Sequence, residues 1–204
     1  MSPLVLAIDT TSEFGSIALA RGARLLEQVA LHSPDGFAHV LFGEIERLLA
    51  RHGTKITGVE VFAAAAGPGA FTGVRVGLTA AKGLAEATGR QVVAVSNLQA
   101  LASCGTRALR APVIDARRGE IFGAVYDADL QLVSEEVVMK FEDWLQTLPG
   151  GDVEIIKQES KELAGAIAHI AAGRFAAGLG RDPAEIDANY VRRSDAEMLW
   201  RDKV

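Results

Sequence analysis

Asp9, Thr10, Thr11 and Ser12 stand together where the apolar run LVLAI ends. A carboxylate leaving a strand, followed by small hydroxyl residues in a tight turn, has the makings of a site that orients a metal-bound water while backbone N–H groups meet a phosphate. The same four residues also suit a threonine-rich hairpin turn that binds nothing. A second stretch, residues 63–84, reads AAAAGPGAFTGVRVGLTAAKGL. Its break at Gly67-Pro68-Gly69 before a helical pattern has the general shape of a phosphate loop. The detail does not match. Thr72 occupies the place of the second glycine in G-x-x-x-x-G-K-[ST], Val74 follows Gly73 in place of lysine, and G-x-G-x-x-G would also need glycine at 72. Gly67, Pro68, Gly69 and Thr72 are therefore read as a strand-to-helix turn.

The helix that follows spaces Gly73, Gly77, Ala80, Ala81 and Gly83 three, four and seven residues apart, which leaves one face nearly flat. Each glycine inside a soluble helix costs up to about 1 kcal/mol relative to alanine. Close packing is the simplest offset, either against this chain's own sheet or against a second protein molecule. The remaining candidates for chemistry are thin. His32, His39, His52 and His169 include no pair at the one-turn spacing of a helical metal site. No G-x-S-x-G elbow is present. A single cysteine, Cys104, excludes an internal disulfide and is expected to be a small buried hydrophobe. The cluster Asp115-Ala116-Arg117-Arg118-Gly119-Glu120 reads as an exposed hairpin turn.

The elements that must position these residues follow from apolar periodicity. Residues 4–9, 16–21 and 24–31 predict three strands in an antiparallel meander, separated by polar turns and Gly22. Ala38, Leu41, Phe42, Ile45, Leu48 and Leu49 fall at helical spacing. Residues 59–65 predict a buried strand, 72–87 a helix ending near Gly89, 91–95 another strand and 98–104 a short helix. The polar segment 105–110 is the expected boundary, and beyond it the pattern restarts. Strands are predicted over 112–116, 120–126 and 130–139, a helix over 141–148, a strand over 152–156 and an alanine-rich helix over 160–177. Two stretches that each open with three strands predict a duplicated α/β unit, residues 1–104 and a smaller 105–204.

With 49% hydrophobic residues in 204, the chain can bury a core of ordinary size. Its 21 basic against 26 acidic residues argue against a general electrostatic grip on nucleic acid. Arg107 with Arg110, Arg117 with Arg118 and Arg192 with Arg193 are read as solvated pairs. The first apolar stretch is interrupted by Asp9 and lacks a basic leader, so neither a signal peptide nor a membrane span is expected, and the expected address is the cytoplasm.

In order along the chain, IDTTS, AAGPGAFTGVRVGLTAAKGLA, VSNLQALA, IDARRGEIFGAVY and NYVRR resemble the TsaB (YeaZ) family. The resemblance runs from Leu6 to Arg193 and is most specific in the glycine-rich run. It implies an actin-like, Hsp70-like and ribonuclease H-like fold of two related domains, the second reduced. It further implies a part in making N6-threonylcarbamoyladenosine at position 37 of tRNAs reading codons that begin with A. In that role the chain would be a non-catalytic subunit that pairs with a TsaD-like catalytic subunit, works with a TsaE-like ATPase, dimerises with itself in isolation, and meets tRNA only indirectly or weakly.

Where the catalytic relative carries a His-x-x-x-His metal pair, this chain has Ser96-Asn97-Leu98-Gln99-Ala100-Leu101. The resemblance therefore implies no metal and no cofactor here. Arg117 and Arg118 crowd the second phosphate turn of the superfamily. Asp9, Thr10, Thr11 and Ser12 become a vestigial phosphate turn. Partner docking falls to Gly73, Arg75, Val76, Gly77, Thr79, Ala80 and Gly83, with Leu41, Ile45 and Leu48 of the neighbouring helix. The alternative is a small ATP-binding, kinase-like enzyme using Asp9, Thr10 and Thr11 at the phosphates; a metallopeptidase and a plain homodimeric module are more distant rivals.

Overall fold

A computed structural model describes residues 2–158 and 162–191. Its first sheet is built from β1 (Leu4–Asp9), β2 (Gly15–Arg21), β3 (Arg24–Leu31), β4 (Val61–Ala65) and β5 (Gln91–Val95), in the order β3-β2-β1-β4-β5. The meander β1–β2–β3 is antiparallel, and β4 and β5 run parallel to β1. Between β3 and β4 lies α1 (Leu41–Arg51), and between β4 and β5 lies α2 (Phe71–Thr88). After β5 comes α3 (Asn97–Ala102), capped by Ser96, whose Oγ accepts from the Leu98 and Gln99 N–H groups.

The second sheet repeats this plan with one strand fewer. It comprises β6 (Leu109–Arg117), β7 (Glu120–Tyr126), β8 (Leu132–Lys140) and β9 (Val153–Lys157), in the order β8-β7-β6-β9. Three antiparallel strands are again followed by a helix, α4 (Phe141–Thr147), and a strand parallel to the first. The last helix is α5 (Ala164–Ala176). Both α2 and α5 follow the parallel strand of their own sheet, yet α5 lies across β1, β2 and β4 of the first sheet.

Strand alternation decides how the first sheet is covered. Leu6, Ile8, Ile17, Leu19 and Phe62 point to one side, where α1 and α2 bury Leu41, Ile45, Leu48, Val74 and Leu78 against them. Val5, Ala7, Ala18, Ala20, Ala63 and Ala65 point to the other, where α5 supplies Ile167, Ala168 and Ala171. Small strand residues thus meet the alanine-rich helix, and large ones meet the two helices with bulkier faces. The expectation of a buried cysteine is corrected: Cys104 lies just past the end of α3 and is exposed. No helix among the described residues is long and apolar enough to cross a membrane.

Candidate functional site

The turn after β1 is welded to the start of α2. Thr10 Oγ1 donates to the Gly73 carbonyl at 2.7 Å, and the Ala70 N–H donates to the Thr11 carbonyl at 2.7 Å. Both hydroxyls are consumed inside the chain. Thr11 Oγ1 donates to Asp9 Oδ1 at 2.6 Å and accepts from Asn97 Nδ2 at 2.6 Å. Asn97 Oδ1 in turn accepts the Gly67 N–H at 2.9 Å, while its own N–H donates to the Gly67 carbonyl at 2.8 Å. Asp9, Thr10, Thr11 and Asn97 are all buried; Ser12 is half-buried at the rim.

Asp9 Oδ2 is left without a protein partner. Burial pushes the Asp9 carboxyl above its ordinary range, with hydrogen bonds from Thr11 and Asn97 pulling the other way. Among the described residues no three His, Cys, Asp or Glu side chains converge as metal ligands. The turn has the residue types of a phosphate site, but its donors face one another and α2 rather than open space.

Gly69, Gly73 and Gly77 explain why α2 can approach this closely. A Cβ at Gly69 would stand 2.7 Å from the Thr11 carbonyl oxygen, one at Gly73 would stand 2.0 Å from the Thr10 carbonyl oxygen, and one at Gly77 would stand 2.7 Å from Thr10 Oγ1. The expectation that Gly73 and Gly77 lie on an outward docking row is therefore corrected: they turn inward, and close packing within the chain is their task. Ile45 and Leu48 are corrected in the same way, since both are buried against the first sheet, whereas Leu41, equally buried, also reaches the groove described next. The amphipathic pattern of α1 identified its apolar face, and that face is claimed by the core.

What remains outward is a groove of about 720 Å³ between α1 and α2. Leu41, Arg75, Val76, Thr79, Ala80 and Gly83, all expected here, line it together with Thr72 and Leu84. Ala80 is buried at the floor, whereas Gly83 would have nothing within 4 Å of an added Cβ. Three aromatic residues were missed by sequence reasoning. Phe42, 55% exposed, stands on the α1 wall and Phe71, 43% exposed, at the start of α2. Tyr190 lies 5.8 Å from the Phe71 ring, centroid to centroid. Arg75 bridges this pair: its guanidinium carbon sits 3.7 Å from the Phe71 centroid, and its Nε donates to the Tyr190 hydroxyl at 3.0 Å. Phe42 falls at the same helical spacing as the buried residues of α1, so the pattern alone did not set it apart as exposed. Tyr190 lies over a hundred residues away in sequence, and the NYVRR motif that contains it carried no sign of its contact with Arg75.

The second hairpin places Arg117 and Arg118 at φ 65° and 57°, left-handed values that bulky residues rarely adopt. Arg117 N–H donates to Asp115 Oδ1 at 2.7 Å. Arg192 and Arg193 lie outside the described residues.

The family model for tRNA N6-adenosine threonylcarbamoyltransferase (TsaD) matches residues 35–178. The Bacillus subtilis tRNA threonylcarbamoyladenosine biosynthesis protein TsaB is 29% identical over 223 residues, covering 96% of this chain and 97% of that protein. Its Escherichia coli counterpart is 35% identical over 131 residues, covering 61% and 55%. The solved structure of YeaZ from Pseudomonas aeruginosa superposes with a TM-score of 0.78 at 27% identity, over 93% of this chain and 100% of that one. The family match over most of the sequence, the TsaB relatives and the superposition on YeaZ lead to one assignment: the chain belongs to the TsaB (YeaZ) family.

Proposed function

We propose that the chain works in N6-threonylcarbamoyladenosine biosynthesis as a non-catalytic partner and dimerisation subunit. It docks a TsaD-like subunit, cooperates with a TsaE-like ATPase, pairs with itself in isolation, and touches tRNA indirectly or weakly. Its place of work is the cytoplasm, where tRNA is modified. In this reading residues 1–104 hold the docking helices and residues 105–204 form the smaller related unit.

One observation carries the reading. The groove between α1 and α2 presents Phe42, Phe71, Val76 and Gly83 beside a turn whose hydroxyl groups are already spent on internal hydrogen bonds. An apolar face rimmed by Arg75 suits a protein partner, because aromatic and arginine side chains supply most of the energy at such contacts. The kinase-like alternative would require Thr10 and Thr11 to give up bonds of 2.7 and 2.6 Å to serve a phosphate.

The test is reconstitution of tRNA modification from purified TsaD-like and TsaE-like subunits with and without this chain. Modification should depend on it, and Gly83→Trp should abolish both modification and co-purification with the TsaD-like subunit. Full modification without the chain would overturn the reading, as would tight magnesium-dependent ATP binding with turnover by the isolated chain.

A further inference from the structure

The segment 186–191 runs beside α2 and is fixed at several points. Lys82 Nζ donates to the Ile186 carbonyl at 2.7 Å, and the Asn189 N–H donates to the Ala66 carbonyl at 2.8 Å. Its two neighbours Asn189 and Tyr190 reach in different directions. Asn189 Nδ2 donates to Glu136 Oε2 on β8 at 2.5 Å, while Tyr190 meets Phe71 and Arg75 at the groove.

Glu136 is the meeting point of three structural parts. Its Oε1 accepts from the Ser96 hydroxyl at the cap of α3 and from the Tyr126 hydroxyl on β7, the latter at 2.6 Å. Burial, with the Glu136 carboxylate beside it, pushes the Tyr126 phenol well above its ordinary range, so it stays a donor. One carboxylate thereby ties the second sheet, the end of the first sheet and the strap that ends at the docking face.

We infer that Glu136, acting through Asn189, is a positioning residue for the groove: the latch seats Tyr190, and Tyr190 holds Arg75 against Phe71 in the form a partner meets. The inference rests on the docking role proposed above and adds a dependence that the groove residues alone would not have. Without the Asn189–Glu136 bond the strap loses its tie to the second sheet, Tyr190 samples other positions, and Arg75 loses the acceptor that orients it. Affinity is then reduced by the fraction of chains in which the stack is formed.

The experiment measures the dissociation constant of the full chain for the purified TsaD-like subunit by calorimetry, with thermal unfolding of each variant as a control. Asn189→Ala and Asn189→Asp should each weaken binding on the order of tenfold, the loss expected for one well-made hydrogen bond. Tyr190→Ala should weaken it as much or more, and the Asn189→Ala, Tyr190→Ala double variant should bind no worse than Tyr190→Ala alone, because both act through one stack. Wild-type affinity in both Asn189 variants, or additive losses in the double variant, would overturn the latch. Gly83→Trp separates the two claims: if it too binds normally, the docking role falls and the latch with it, whereas its failure to bind beside unaltered Asn189 variants sinks the latch alone.

Discussion

Gly73 lies so close to Thr10 that a side-chain carbon at position 73 would stand 2.0 Å from the Thr10 carbonyl oxygen. Both partners are backbone, one in α2 and one in the turn after β1, so neither can rotate aside. Gly73→Ala must move the helix or the turn, at an overpacking cost of about 1–3 kcal/mol or more that exceeds the gain of about 1 kcal/mol in helix propensity. At Gly77 the nearest atom is the Thr10 hydroxyl, at 2.7 Å from the added carbon. That hydroxyl can swing away by surrendering its bond to Gly73. Denaturant unfolding should rank Gly73→Ala as clearly less stable than Gly77→Ala, and equal stabilities would contradict the close approach.

Gly83 is the opposite case on the same helix. Nothing stands within 4 Å of an added carbon. Alanine there should therefore raise stability, by up to about 1 kcal/mol. Tryptophan should leave the unfolding temperature close to that of the wild type while filling the groove. A loss of stability at 83 comparable to that at 73 would mean that α2 turns a different face to solvent.

The order of strands and helices was legible because each apolar run carried its own period and was bounded by glycine or polar residues. The predicted strand over 4–9 and the predicted helix over 72–87 match β1 and α2 within a residue. The direction in which the small residues of α2 face was not legible. A glycine at helical spacing announces a close neighbour without saying whose backbone it is, and Thr10 lies over sixty residues away in sequence. The same limit applies to Ile45 and Leu48, where periodicity found an apolar face that the chain keeps for itself. The bond from Arg75 at the groove to Tyr190 spans more than a hundred residues, and no local pattern encodes it.

Asp9 makes stability depend on pH in a definite direction. The unfolded chain ionises this carboxyl near its ordinary value of 3.8, whereas burial raises it in the folded chain. The stabilising contribution is thus complete below 3.8 and is lost as pH rises through the folded value. Asn at this position keeps an acceptor for Thr11 and has no proton to lose. The stability of Asp9→Asn relative to the wild type should therefore increase between pH 4 and pH 7 in urea unfolding series. A difference that stays constant across that range would show that Asp9 ionises normally.

Asn97 holds the same buried corner from the other side, donating to Thr11 Oγ1 and accepting from the Gly67 N–H. Alanine would strand the Gly67 donor away from water, at a cost of about 1–3 kcal/mol for each polar group left unpaired. Aspartate is the more informative change. As a neutral acid it can still accept from Gly67 and donate to Thr11, but once ionised it loses the donor and faces the buried Asp9 carboxyl. Its folded value should be raised, so its stability falls as pH rises. Asn97→Asp should be near wild-type stability at about pH 4 and several-fold less resistant to unfolding at about pH 7, while Asn97→Ala should be weak at both. If Asn97→Asp proved pH-insensitive, the hydrogen bond from position 97 to Thr11 would not be what holds this corner together.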